Sequence, residues 1–417
     1  VDQRLPIEMQ EISNISPVTG RNAGSHGDGF SVHPVRWPVL KGVDGEGLLL
    51  QPDTDPIADI VALPDCDWTP EMLIGMASGV PDQAQFARRL AESGCRVVVP
   101  TLINRDDTCS GIPDVAMVNQ PHREFIYRAA YEVGRYPIGY EVQKILSAVD
   151  WFSKGQPRTP VGIIGYGEGG LLAMYAAAVD TRIAAAVVSG YFEPREGLYA
   201  EPIYRNIFGL LNEFGDAEIA SLIVPRPLII EACRHPEVSG PPEPTEGRRG
   251  GGAPGVISTP SLDRVQSEFE RLKKLTSGLD APLHLISSDE GHGLPGCNEA
   301  LTSFLNTVYN DPDIPVSHST TAPKVEYLTE NGEDHQERQF RQMLDHTQFL
   351  MKEAEYRRAA FWSDADRSSL DAWEKSVEWY RTYFQDEITG RLPKSDMPLN
   401  PRTRRIYETD SFTGYEV

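Results

Sequence analysis

The run Val161-Gly162-Ile163-Ile164-Gly165-Tyr166-Gly167-Glu168-Gly169-Gly170-Leu171-Leu172 constrains this chain more than any other segment. An apolar stretch suited to a buried strand meets a turn crowded with glycine. It passes at once into a helix, expected over 169–179, that is poor in polar residues. Such a turn holds one residue in a strained conformation above the sheet, and small neighbours let strand and helix approach closely. Three uses of a glycine-rich turn compete. A phosphate loop needs Gly-Lys-Ser/Thr, which this run lacks. A dinucleotide fingerprint matches as Gly165-Tyr166-Gly167-Glu168-Gly169-Gly170, but no acidic residue ends a following strand at the required place. The strand is also the fifth along the chain rather than the first, so a nucleotide site is disfavoured. An elbow that lifts one side chain above the sheet fits best, and the residue at its apex is Gly167.

The surrounding pattern predicts an α/β chain. Runs 30–40 and 46–52 flank the turn-rich Lys41-Gly42-Val43-Asp44-Gly45 and read as a β-hairpin. Runs 57–63, 96–102, 161–164, 183–189, 227–232 and 282–287 are apolar strands of the kind covered on both faces. Helices are expected from Asp82 to Glu92, on either side of a break at Pro137, and over 203–214, 216–222, 262–275 and 298–309. This alternation makes a mostly parallel sheet with helices on both faces and an antiparallel N-terminal hairpin. Residues 1–29 read as a polar arm, 30–312 as the α/β domain and 313–417 as a helical C-terminal extension that needs no strand. Pro236 to Pro260 is a long loop rich in Pro and Gly.

Gly-Tyr-Gly-Glu-Gly-Gly resembles the Gly-x-Ser-x-Gly-Gly elbow of the α/β-hydrolase superfamily, with Gly165 and Gly169 as the flanking small residues. The likeness extends over 30–310 through the entry hairpin, Leu171-Leu172-Ala173, Pro225-Arg226-Pro227-Leu228-Ile229-Ile230 and Gly291-His292-Gly293. That stretch is similar to hydrolases of the dienelactone-hydrolase and acetylxylan-esterase type. The resemblance implies an α/β-hydrolase fold and cofactor-free cleavage of carboxylic esters or lactones. It also puts Gly167 at the nucleophile position, where no side-chain atom can attack a carbonyl. Shifting the frame to Glu168 sets Tyr166 where a small residue is needed, so that shift is rejected.

The same resemblance implies an acid after a later strand, matched by Glu237 or by Glu231 at the strand end, and a base matched by His292. The oxyanion loop corresponds to Pro64-Asp65-Cys66-Asp67-Trp68. Its carboxylates would repel a developing oxyanion unless protonated or turned away. Asp65 and Asp67 could hold a metal, but capping the next segment is the favoured reading and no metal site is expected. The candidate substrate-binding residues are Asp65, Asp67, Arg105, Tyr166 and Tyr191. Arg105, Arg123 and Arg195 could clamp a carboxylate, with pairing to neighbouring acids as the favoured alternative.

A net charge of -22 excludes a nucleic-acid surface, because phosphates would repel it. No apolar run is long enough to span a bilayer. The five cysteines form no Cys-x-x-Cys pair, which argues against zinc or redox chemistry. A chain that starts at Val1 fits either removal of a leader or a sequence begun partway along a longer chain, and the first of these would make it an exported protein. Its end, Phe412-Thr413-Gly414-Tyr415-Glu416-Val417, reads as an unfinished strand leading into a further module, such as another hydrolase domain. Two functional readings follow. One is a degenerate hydrolase domain that binds a ligand or supports a partner, which could be that second hydrolase module or another copy of the chain. The other is a cofactor-free hydrolase of esters, lactones or acetylated carbohydrate. In it His292, oriented by Glu237 and assisted by Glu168, activates a water.

Overall fold

The computed structural model describes residues 4–6, 9–11, 25–111, 115, 117–154, 159–309, 314–317, 321–323, 332–393, 400 and 402–416. The chain forms two compact units, Val1–Lys352 and Glu353–Val417, which part at a different place from the composition shift near Asp311.

The first unit is built on a sheet whose leading hairpin joins β1 (Phe30–Leu40) to β2 (Val43–Pro52). Pairing of Leu40 with Val43 closes a two-residue turn, so β2 starts earlier than the glycine-rich sequence suggests. There follow β3 (Asp59–Leu63), β4 (Arg96–Pro100), β5 (Val161–Tyr166), β6 (Ile183–Ser189), β7 (Leu228–Ala232) and β8 (Leu283–Ser287). Their order across the sheet is β1-β2-β4-β3-β5-β6-β7-β8. β2 runs antiparallel to β1 and β4, and the remaining neighbours are parallel. The polar arm contributes two short strands, Gln10–Glu11 and Ser25–His26, against β1.

Strands β3 to β7 read as continuous apolar runs because both faces are covered, whereas β8 at the sheet edge leaves His284 and Ser287 exposed. Val61, Val98, Ile163 and Val188 face one core with α3 (Pro137–Phe152) and α4 (Glu168–Val179). Ile60, Val97, Ile164 and Val187 face the other, with α1 (Phe86–Glu92) and α7 (Asn298–Tyr309). The first core also takes α2 (His122–Tyr131), α5 (Asp216–Ser221) and α6 (Leu262–Leu275). Pro137 opens α3 at its first turn, where a missing N–H costs nothing.

Two expected helices are corrected. The one from Asp82 is a short 3₁₀ turn, Asp82–Ala84, followed by α1, because Gln85 leaves helical conformation at ψ 58°. The run 203–214 holds only the 3₁₀ turn Ile203–Arg205 and the single turn Leu210–Glu213, with Asn206 extended between them at ψ 133°.

Helix α8 (Gly332–Phe361) crosses the boundary between the units, and its first part is tied to the sheet. Glu46 of β2 is fully buried and accepts hydrogen bonds from Arg338 at 2.7 Å and from Arg36 at 3.1 Å, with His335 Nδ1 at 2.6 Å. Burial pushes this carboxyl up, but Arg338, His335 and Arg36 outweigh it and hold it down at about 2. Lys144 donates to Gln339, and Phe340 and Met343 are buried in the core.

In the second unit Trp362 stacks on Tyr380 with centroids 4.3 Å apart, and Phe361 packs on Trp379 and Tyr383. The end of α8 with Trp362 after it, and the helix Glu378–Tyr383, carry this cluster, and a short helix Leu370–Ser376 lies between them in sequence. The expectation that no strand is needed is overturned. Arg404–Glu408 and Thr413–Glu416 form an antiparallel hairpin, so the terminal run that read as unfinished is the second strand of a pair. Its sequence is too short for periodicity to separate strand from loop. Among the described residues no helix is long and apolar enough to cross a membrane.

Replacing Glu46 by Ala strips Arg338 and Arg36 of a buried partner. The expected loss is about 3 kcal/mol of unfolding free energy, read by urea denaturation, together with faster hydrogen exchange over 335–347.

Candidate functional site

The end of β5 forms the turn that the sequence singled out. Gly167 sits at φ 58°, ψ -120°, a backbone conformation that side chains rarely adopt, and it caps α4. Its neighbours must be small. A Cβ on Gly165 would lie 1.9 Å from the carbonyl oxygen of Gly169, and one on Gly169 would lie 2.4 Å from that of Leu63. The backbone is thus that of an elbow.

The space above the elbow is filled. A Cβ at position 167 would fall 2.4 Å from Oδ2 of Asp65 and 2.6 Å from Cγ of Pro236. The same Asp65 Oδ2 accepts the backbone N–H of Glu168 at 3.0 Å, the amide that follows the apex. In a working elbow that amide helps bind the developing oxyanion. Here a resident carboxylate takes it.

Arg105 makes the buried carboxylate tolerable. Its Nη1 donates to Asp65 Oδ1 at 2.6 Å and to Asp67 Oδ2 at 2.7 Å, and its Nη2 to Asp65 Oδ2 at 3.1 Å. Burial pushes the Asp65 carboxyl up, and Arg105 outweighs it, holding the group below its ordinary range. Asp65 also accepts the N–H of Asp67, a local turn bond of the capping type. Ligand atoms of Asp65, Cys66 and Asp67 lie within 4.8 Å of one another. The set does not fit a metal, because the guanidinium already bridges both carboxylates and burial pushes the Cys66 thiol well up.

Glu168 is buried among three arginines: Arg205 Nε at 2.6 Å, Arg105 Nη2 at 3.3 Å and Arg123 Nη2 at 3.5 Å. Burial raises its carboxyl, and Arg205, Arg123 and Arg105 together pull it down to about 2. A carboxylate so held is a weak proton acceptor, and its oxygens are already engaged by Arg205, Arg105 and Arg123. The arginines are likewise spent internally. Arg123 forks onto Glu141 at 2.9 and 3.0 Å, and Arg195 binds Asp216 at 2.9 Å and Glu201 at 2.8 Å. Among the described residues these arginines pair with acids, the favoured alternative, while Arg123 Nε is left without a partner.

Among the described residues the remaining candidates make no hydrogen bond to one another. His292 is exposed on the tight turn after β8, where its N–H donates to the carbonyl of Asp289. Glu237 is exposed as well, and among the described residues no hydrogen bond joins His292 to Glu237 or Glu231. Glu231 is buried and accepts the N–H groups of Gly296 and Cys297, both at 2.8 Å, so it anchors the start of α7. Tyr166 is buried against Trp68, with ring centroids 4.7 Å apart, and Tyr191 lies under Arg195 at 4.0 Å. Both tyrosines are packed, and burial raises both hydroxyls.

Sequence reasoning missed Arg205, Tyr204 and His235. Arg205 and Tyr204 lie in the segment read as a plain helix, and Tyr204 Oη accepts from Arg105 Nε at 2.9 Å. His235 stands beside Pro236 and is buried. Burial first, then Arg195 and Arg205, hold its imidazole well below the ordinary range, so it is neutral. Its only signal was a histidine three residues past a strand end. Beside this network, past the ends of β6 and β7, lies a cavity of about 380 Å³ lined by Glu193, Glu201, Arg205, Ile257, Thr259 and Arg264.

A profile of the dienelactone hydrolase family matches residues 64–213, from the Asp65 loop through the elbow to the Arg205 segment. No curated protein sequence matches the chain. Among solved structures, a methylesterase aligns with TM-score 0.51 and 13% identity, covering 85% of this chain and 71% of its own. An acetyl xylan esterase from Paenibacillus sp. R4 aligns with TM-score 0.43 and 14% identity, covering 73% of this chain and 90% of its own. At such identities the first likeness shows the fold alone.

The ionised state of Glu168 sets a pH dependence. Because its carboxyl falls from an ordinary 4.5 to about 2 on folding, its contribution is complete above pH 4.5 and is lost as pH falls towards 2. That contribution is about 3 kcal/mol, and Glu168→Gln should flatten this part of the stability curve while destabilising the protein at pH 7. Urea denaturation of both proteins between pH 2 and pH 7 measures it.

Proposed function

We propose that this α/β-hydrolase, of the type of dienelactone hydrolases and acetylxylan esterases, is a degenerate hydrolase domain. In this reading it binds a ligand or supports a partner and carries out no acyl transfer. One observation carries the reading: Asp65 Oδ2 lies 2.4 Å from where the first side-chain atom at position 167 would be and accepts the Glu168 amide. Loss of a serine alone would leave a gap for water. A carboxylate in that gap leaves no room for a nucleophile and sets a negative charge where a tetrahedral intermediate would place its own. The exposed positions of His292 and Glu237, with no bond between them, support the same reading.

The ligand in this reading is a small molecule or carbohydrate ester that enters the cavity beside Arg205. It lies past the carboxyl ends of the strands, where open α/β sheets take ligands. The partner supported is a further hydrolase module or a second copy.

The test is a panel of aryl acetates, lactones and acetylated sugars, with native protein, His292→Ala and Gly167→Ser. Native protein should give no hydrolysis above buffer and no covalent adduct with a fluorophosphonate. Gly167→Ser should stay inactive and lose about 3 kcal/mol of stability, since its Cβ meets Asp65 and Pro236 in a strained conformation. Hydrolysis by native protein that disappears in His292→Ala would establish the water-activating reading instead. A residue labelled by the fluorophosphonate would overturn the placement of the elbow.

A further inference from the structure

A larger cavity lies far from the elbow, at the amino-terminal ends of the same strands. It measures about 670 Å³ and opens between the arm, the end of α3 and the starts of β5 and β6. That volume is in the range of small-molecule sites. Its charged lining consists of Arg4, Lys154 and Arg182 with a single carboxylate, Asp150. Within the cavity lining the cations outnumber the carboxylates, although the chain as a whole carries a net charge of -22.

The ion pairs leave guanidinium N–H groups over. Asp150 is shared by Arg4 Nε at 2.9 Å and Arg182 Nη2 at 2.7 Å. Arg182 also grips Asp180, through Nε at 2.9 Å and Nη2 at 2.5 Å. Arg4 spends its Nη1 on Gln143 at 3.3 Å. Among the described residues, Nη2 of Arg4 and Nη1 of Arg182 donate to no protein group. The rest of the wall is apolar, from Leu5, Pro160, Val161 and Ala184.

We infer that this cavity is a binding site for a small organic carboxylate with an apolar body. The two guanidinium groups take the carboxylate oxygens, and the apolar wall takes the tail. Two spare donor ends on neighbouring cations suit the two oxygens of a monoanion. A dianionic phosphate would bring a second negative charge up to Asp150 and Asp180 without an apolar body to bury. The site is independent of the elbow and shares no residue with it.

Calorimetric titration of the full chain with octanoate, octanol and inorganic phosphate tests the inference, with Arg182→Gln and Arg4→Gln as variants. Octanoate should bind native protein at least about tenfold more tightly than octanol or phosphate, the factor expected of a charge-assisted hydrogen bond. Arg182→Gln should lower octanoate affinity by about tenfold and Arg4→Gln by about threefold. Arg4 lies on the arm, so its variant reports even if Arg182→Gln disturbs the fold, which a melting curve reveals. No octanoate heat at millimolar concentration would overturn the inference. So would octanol or phosphate binding as tightly as octanoate, or affinity unchanged in Arg4→Gln.

Discussion

Asp65 carries its charge in a place closed to water, and its neighbours make that state tolerable. One oxygen takes the Glu168 amide at the start of α4, and the Arg105 guanidinium spans both oxygens. An isolated carboxylate there would be costly by many kilocalories, so the pairing with Arg105 is obligatory. Arg105 in turn reaches Asp67, Tyr204 and Glu168, and Glu168 gathers Arg123 and Arg205. Through Arg205 and Glu201 the chain of charges extends to Arg195 and Asp216. The loops that follow β3, β4, β5 and β6 are thus held by one buried network.

That network closes over the elbow. The tight turn normally stores strain in order to lift a reactive side chain towards a substrate. Here the strained backbone persists at Gly167, a residue that adopts it at little cost, and the amide it exposes is given to an internal carboxylate. The groups that could have served as acid and base elsewhere face solvent or hold loops: Glu237 and His292 are exposed, and Glu231 ties down the start of α7. The fold is that of an α/β-hydrolase, and the charged groups around this turn pair with one another.

Much of this was legible in the sequence where a long periodic pattern met a clear boundary. Helices α6 and α7 fall on the residues expected, since their apolar stripes run uninterrupted over three turns or more. The apex at Gly167 was legible because steric demands at Gly165 and Gly169 permit almost no other sequence. The breaks at Gln85 and Asn206 were not, because each turns on a single backbone torsion that tertiary packing decides. Nor was the occupant of the oxyanion position. The Asp65 loop showed carboxylates in an unsuitable place, yet only the fold brings Arg105, some 40 residues on, within 2.6 Å of Asp65. The setting of Glu168 was hidden for the same reason: its three arginine partners lie between 37 and 63 residues away.

The most direct test of the account is a crystal structure of the native chain fine enough to separate the oxygens of Asp65. The account expects Oδ2 within hydrogen-bonding distance of the Glu168 amide, with Arg105 forked across the carboxylate and no space above Gly167. A carboxylate swung away, with the Glu168 amide open to the cleft or holding a water, would contradict it.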